Sequence, residues 1–154
     1  MNGLAGLRRA TAGDLDAVSA LQRAAYAKNR PILGVEPLPL LADYAQILRD
    51  YEVWLLEGPE GLDGVLILEP RADDLLLWSI AAAPRVEGRG LGNRLLAATE
   101  ARARELKRRT VRLYTGDKLA DRIAWYNRHG YVHERTEALD DRHIVHLVKH
   151  LDQA

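Results

Sequence analysis

From Leu75 to Ala83 the chain is almost wholly apolar; it then passes Pro84 and the turn Gly88-Arg89-Gly90-Leu91-Gly92 and enters a stretch in which Leu91, Leu95, Leu96, Thr99 and Ala103 recur at helical spacing. That stretch should end around Lys107 to Arg109. Thr110 to Thr115 (Thr-Val-Arg-Leu-Tyr-Thr) then alternates with period two and reads as a strand. A strand-helix-strand unit of this length sets its two strands parallel in one sheet, joined by a right-handed crossover. This unit commits the chain to an α/β arrangement, and the remaining segments must be arranged around it.

N-terminal to it, Leu4 to Arg9 reads as a short strand, and Thr11 with Asp14 resembles a capping box. The helix it opens carries Leu15, Val18, Leu21 and Ala25 at helical spacing and should end near Lys28. Pro31, Gly34, Pro37 and Pro39 argue for irregular structure until a second helix begins near Leu40 or Leu41 and runs to about Arg49. Glu52 to Glu57 and Gly64 to Leu68 read as a hairpin around Gly58-Pro59-Glu60-Gly61. After the central unit, Ala120 to His129 reads as a helix with Gly130 as its C-cap, and Tyr131 to Thr136 and His143 to Lys149 read as two last strands. The expected architecture is a single α/β (α+β) domain over residues 1–154, with a mixed, mostly antiparallel sheet of six to seven strands and about four flanking helices.

Composition limits what such a domain can do. With 154 residues, 47% of them hydrophobic, the chain has material for one ordinary core. It has no Cys, which removes disulfides, thiol nucleophiles and cysteine-ligated metals. The apolar run is about half the ~20 residues of a membrane helix, and Met1 to Asp16 lacks a basic start followed by an apolar stretch, so a cytoplasmic address and no membrane partner are expected. His143, His146 and His150 do not suggest a metal site, because His143 and His146 point to opposite faces of a strand.

Lys plus Arg and Asp plus Glu balance at 22 each, but residues 85–112 carry 9 basic and 3 acidic side chains. A nucleic-acid binder would be basic overall, whereas a local excess suits a small, multiply phosphorylated ligand or a solvated helix face. The glycines sharpen the choice. Three at alternate positions between a strand and a helix let backbone approach a ligand, and the first free N–H groups of the helix favour an anion there. No Lys-Ser or Lys-Thr pair follows, so this is not a nucleotide P-loop, and the spacing is not the dinucleotide fingerprint.

The segment Ile80-Ala-Ala-Ala-Pro84-Arg-Val-Glu-Gly88-Arg-Gly90-Leu-Gly92-Asn-Arg-Leu95-Leu96 resembles the acetyl-CoA-binding motif of the GNAT N-acetyltransferases. Ala124-Trp-Tyr126-Asn-Arg-His-Gly130-Tyr131 is similar to that family's second landmark, a helix ending in Tyr followed by Gly and an aromatic. The resemblance implies a splayed parallel pair of strands that admits the thioester. It implies a cosubstrate, acetyl-CoA, held by backbone of Gly88, Arg89, Gly90, Leu91, Gly92 and Asn93, with the pantetheine arm running along Ile80, Ala81 and Ala82. It also places Tyr126 near the sulfur. Glu87 stands where the family usually has Arg or Gln, and Leu119 where it has Asn, so that Arg85 or Arg89 would have to supply charge. The implied partners are acetyl-CoA and an amine, with a homodimer allowed.

Acetyl transfer to an amine needs a neutral nucleophile, a donor to the carbonyl oxygen and a proton for the thiolate. A backbone N–H near Ala82 is the implied oxyanion donor. Tyr126 is the candidate acid, since a phenol is protonated at neutral pH; an aromatic that only packs is the competing reading. For the base, Glu36, Asp43 and Glu57 are candidates, each of which also fits a solvated or capping role. Tyr26, Tyr44, Trp54 and Tyr114 are candidates for the acceptor pocket. The expected function is an acetyl-CoA-dependent N-acetyltransferase acting on a small amine or a peptide amine. The alternatives are a noncatalytic acyl-CoA-binding regulatory module and a nucleotide-binding regulator.

Overall fold

Val65, Leu66, Ile67 and Leu68 are fully buried in succession, which requires a strand covered on both faces. In the computed structural model, which describes residue 4 and residues 6–152, that strand is β3 (Gly61–Pro70), third in a seven-stranded sheet. The others are β1 (Arg8–Arg9), β2 (Glu52–Gly58), β4 (Leu75–Ala82), β5 (Thr110–Gly116), β6 (Val132–Ala138) and β7 (His143–His150). Their order is β1-β2-β3-β4-β5-β7-β6, antiparallel throughout except between β4 and β5. The mixed sheet with one parallel pair is therefore as the strand-helix-strand pattern implies.

Helices cover the two faces. Leu66, Leu68, Leu75, Leu77, Val111 and Leu113 share one core with Leu95 and Leu96 of α5 (Leu91–Glu105) and Tyr126 of α6 (Ala120–Arg128). Val53, Leu55, Val65 and Ile67 share the other with Val18, Leu21 and Tyr26 of α1 (Leu15–Tyr26). Along β4 the alternation changes phase: Leu75 and Leu77 face the first core, and so does Ile80 rather than Ser79. The register explains it, because Leu68 pairs with Leu77 and Ile67 with Ser79, leaving Trp78 as an extra residue. A bulge of this kind bends its strand and re-aims the side chains beyond it.

The first half departs from expectation in detail. Only Arg8 and Arg9 of the expected first strand pair with β2, and Met1, Asn2, Gly3 and Ala5 lie outside the described residues. Pro31 and Pro39 do not forbid helix here: each sits in the first turn of a four-residue helix, α2 (Arg30–Leu33) or α3 (Leu38–Leu41), where its missing N–H has no intrahelical partner to lose. The expected second helix is thus broken. Its longer piece, α4 (Tyr44–Asp50), starts where the Asp43 carboxylate accepts the N–H groups of Ala45 and Gln46 at 3.0 and 3.3 Å. Among the described residues six α-helices stand where about four were expected, because the proline segment contributes two short ones. Among the described residues, no helix is long and apolar enough to cross a membrane.

The expected C-cap is in place. Gly130 has φ +93°, and the N–H of Tyr131 reaches the Tyr126 carbonyl at 3.1 Å, the closing bond of a glycine-terminated helix.

β4 and β5 pair only at Leu75 with Val111 and Leu76 with Arg112. Asp74 locks this end: buried beside it, its carboxylate accepts two bonds from Arg71 (2.6 and 2.7 Å) and one from Arg112 (2.9 Å). Arg112 also donates to Glu134 of β6 at 2.9 and 3.0 Å. Arg71, ahead of Arg112, holds the Asp74 carboxyl below the usual carboxylate value. Asp74→Asn leaves two guanidinium groups facing a neutral amide and should destabilise the protein by roughly 2 to 3 kcal/mol at neutral pH. Because the folded-state pKa is depressed, this contribution is full above the unfolded value near 4 and is lost progressively as pH falls from there through the lower folded-state value. Denaturant unfolding of both proteins at pH 7 and pH 3 checks it: the gap should be large at pH 7 and smaller at pH 3, and equal stability at pH 7 would contradict it.

Candidate functional site

Beyond Leu76 the parallel strands part. The wedge between Leu77–Ile80 on β4 and Leu113–Gly116 on β5 opens into a cavity of about 680 Å³, closed on one side by Leu33, Pro37, Leu38 and Pro39. The splay has two sources in the strand registers. The Trp78 bulge turns β4, and β5 keeps full antiparallel register with β7 from Thr110 to Gly116, so it does not follow β4.

A second cavity, about 810 Å³, lies at the start of α5 and is lined by Ile80, Ala81 and Ala82 together with Glu87, Gly88, Gly90, Leu91 and Gly92. Gly88 and Gly90 have φ of +82° and +78°, and a Cβ added to either would meet nothing within 4 Å. Backbone therefore faces open space, in a conformation that L side chains rarely adopt. No side chain caps α5, so its first N–H groups point out of the turn without intrahelical partners. Asn93 accepts the indole N–H of Trp125 at 3.2 Å, which ties α6 to the first turn of α5. Arg89 is exposed beside the loop and, like Asn93, does not line the cavity.

The two cavities meet at Tyr26, Ile80 and Arg122, which line both. Arg122 donates to the Ile80 carbonyl (3.1 Å) and to the Tyr26 hydroxyl (3.3 Å), over whose ring its guanidinium sits at 5.2 Å. Burial works against its charge, but Tyr26 and Tyr126 outweigh that and the guanidinium stays a firm cation. One turn further along α6, Tyr126 is buried in the first cavity's wall against Trp125 and Tyr131. Burial pushes its phenol up, against the opposing pull of Arg122, so it is protonated at neutral pH.

A buried polar network shapes the floor. Gln22 donates to the Tyr44 hydroxyl (3.0 Å) and to Ser79 (3.1 Å), Tyr44 donates to the Pro39 carbonyl (2.6 Å), and Tyr26 and Ser79 share a bond of 2.8 Å. These bonds fix α1 and the proline segment against β4.

Several residues expected at the site stand elsewhere. Glu36 pairs with Arg30 at 2.5 Å, Asp43 caps α4, and Glu57 pairs with Arg8 at 2.8 Å; none lines either cavity. Trp54 lines neither cavity: it lies between Arg9 and Arg102 and is bonded to Glu52. Tyr44 supports the wall from behind, whereas Tyr26 and Tyr114 do line the first cavity. Glu87 pairs with Lys28 at 2.7 Å rather than with an arginine, and Arg85 is held by Asp63 at 2.7 Å. Lys28 and Arg122 are the cations that line the second cavity, and the Lys28 ammonium is the one offset by Glu87. Leu119 is buried in the first cavity's wall. His146 pairs with Glu137, and His150 contacts Thr110.

Sequence reasoning missed Lys28, Arg122 and Arg142. The available signal for Arg122 was its spacing, four residues before Tyr126, which puts both on one helix face.

The Acetyltransferase (GNAT) domain profile matches residues 49–133, from α4 to β6. The chain belongs to the GNAT acetyltransferase family. Among solved structures, the ribosomal-protein-S18-alanine N-acetyltransferase of Escherichia coli matches with TM-score 0.76 at 18% identity, over 96% of this chain and 94% of that one. The PaiA N-acetyltransferase of Thermoplasma acidophilum, in complex with coenzyme A, matches with TM-score 0.77 at 16% identity, over 94% and 97%. A GNAT family acetyltransferase of Elizabethkingia anophelis with acetyl-CoA bound gives 0.70 at 17%, over 94% and 97%. At these identities the likeness is one of fold. No protein of curated function matches the chain in sequence.

Proposed function

We propose that residues 1–154 form a single acetyl-CoA-dependent N-acetyltransferase domain that acts on the amine of a small molecule or peptide by direct attack, in the cytoplasm. The observation that carries this reading is the continuity of the two cavities. A backbone-lined cradle with open glycine positions runs along β4 and joins, at Ile80 and Arg122, a wedge walled by a protonated tyrosine.

Acetyl-CoA supplies the acyl group as an activated thioester. The backbone N–H groups at the start of α5, assisted by Lys28, are suited to its pyrophosphate, and the free edge of β4 from Ile80 to Ala82 is suited to its amide-bearing arm. Arg122 occupies the Ile80 carbonyl, so it must yield or share that acceptor as the arm pairs with β4. The neutral amine nitrogen attacks the thioester carbonyl carbon, the carbon–sulfur bond breaks, Tyr126 gives its proton to the departing sulfur, and the proton shed by the nitrogen passes through solvent to restore the phenol. A backbone N–H near Ala82 serves the carbonyl oxygen. Both cavities are lined from one chain, and the reading needs no second copy.

The noncatalytic reading draws on two observations: neither Glu36 nor Asp43 reaches the wedge, and Leu119 offers no polar group there. Binding is tested first. A ligand selective for the native state at 100 times its dissociation constant stabilises by about 2.7 kcal/mol. Millimolar acetyl-CoA should therefore raise the thermal midpoint by several degrees. No shift would remove acetyl-CoA from the glycine cradle.

A further inference from the structure

The charges around the wedge are all of one sign. Arg122 and Arg142 line it, and no Asp or Glu does. Arg142 is the more telling of the two because its side chain is only 7% exposed, while the carboxylate it pairs with, Asp141, is 56% exposed and turned to the surface. Arg122 has no carboxylate partner among the described residues; its bonds go to a carbonyl and to tyrosine hydroxyls. Asn29, Ser79 and Tyr26 add neutral polar groups, and the rest of the wall is apolar or aromatic.

Such a wall discriminates among amines. In water the acceptor is an ammonium ion, and the Arg122 guanidinium, which no carboxylate among the described residues compensates, repels it in a poorly solvated cleft, while Arg142 is offset by Asp141. An acceptor that brings its own anionic group removes the repulsion, gives Arg122 the carboxylate it lacks, and can bond the edge of Arg142 left open by Asp141, which takes its Nε and Nη2 at 2.9 and 3.1 Å. The same positive field favours loss of the ammonium proton, which releases the neutral nucleophile without a carboxylate in the wedge. The elements that close the wedge from Asn29 to Pro39, and Arg142 itself, lie outside residues 49–133, the portion shared with the family profile.

We propose that the acceptor is an amine bearing a carboxylate within a few bonds of its nitrogen, as in a free α-amino acid, with Arg142 and Arg122 as its specificity-determining residues. This rests on the acetyl-transfer reading above. The shared chemistry is a carboxylate in the wedge; Arg142 lines only the wedge and not the glycine cradle, so the carboxylate is carried by the acceptor or by the donor's acyl group, and the test separates the two.

The test measures acetyl-CoA-dependent thiol release with the twenty α-amino acids and with their α-carboxamides. The amides keep the amine and the side chain and lose only the charge. Hydrogen bonds to a charged group predict a 10- to 100-fold higher kcat/KM for the preferred acid than for its amide. In Arg142→Gln this ratio should fall toward one, mainly through a higher KM for the acid, and Arg142→Lys should restore part of it. Succinyl-CoA is run beside acetyl-CoA, with the amides as acceptors. Amides used as well as acids by the unaltered protein would overturn the proposal while leaving acetyl transfer intact. Faster turnover with succinyl-CoA and an amide would overturn it by moving the carboxylate to the donor. Thiol release with other amines but with neither series would overturn the proposal and leave acetyl transfer standing, whereas no thiol release with any amine would overturn acetyl transfer and the proposal with it.

Discussion

Tyr126→Phe is expected to cut turnover by roughly 10²- to 10⁴-fold, the range for removal of a positioned proton donor, with acetyl-CoA affinity unchanged within about threefold. The substitution keeps the ring that packs against Trp125 and Tyr131, with centroids at 4.8 and 5.8 Å, so the α6 face stays filled. Only the hydroxyl goes. That hydroxyl sits at the wall of the wedge beside Arg122, and burial keeps it protonated at neutral pH. Steady-state turnover and acetyl-CoA binding measured on the same preparation check the split. Turnover within twofold of the unaltered protein would reduce Tyr126 to a packing residue.

Gly92→Val is expected to weaken acetyl-CoA binding at least tenfold while the protein stays folded. Gly92 is the better probe of the three loop glycines because Gly88 and Gly90 require a positive φ, so a side chain there costs about 1 kcal/mol in backbone strain whatever it does to a ligand. A Cβ at position 92 meets the Trp125 ring at 3.4 Å, an ordinary contact, and both residues line the second cavity, so the added bulk takes space there. Unfolding curves should show a loss of about 1 kcal/mol or less from the β-branched residue, and titration with acetyl-CoA should show the loss of affinity. Unchanged affinity in a folded variant would mean that this turn is structural only.

These residues were legible in the sequence because their requirements are local. A glycine turn between an apolar strand and an amphipathic helix, and a glycine closing the helix that carries Tyr126, leave their mark in consecutive residues. The sheet with its parallel pair followed from the same unit. What escaped depends on contacts between distant segments. The Trp78 bulge is invisible in β4 alone, since it exists only in register with β3. Glu36 and Asp43 lie in the right stretch of chain, but local geometry takes them first, through Arg30 and through the exposed N–H groups of α4. Pro31 and Pro39 were misread because a proline in a first turn and a proline in a loop look alike in sequence. Arg142 carries no local signal at all: it follows two aspartates at a strand turn, and only the fold buries it at the wedge.

The central claim is that one continuous cleft binds acetyl-CoA and passes its acetyl group to an amine. It is tested most directly by following free thiol from acetyl-CoA with purified protein, across a panel of amines and amino acids and in their absence. The account predicts thiol release that requires an acceptor, saturates in both substrates and yields the N-acetylated amine in equal amount. Tight acetyl-CoA binding with no acceptor-dependent thiol release across the panel would contradict it and leave a binding module in its place.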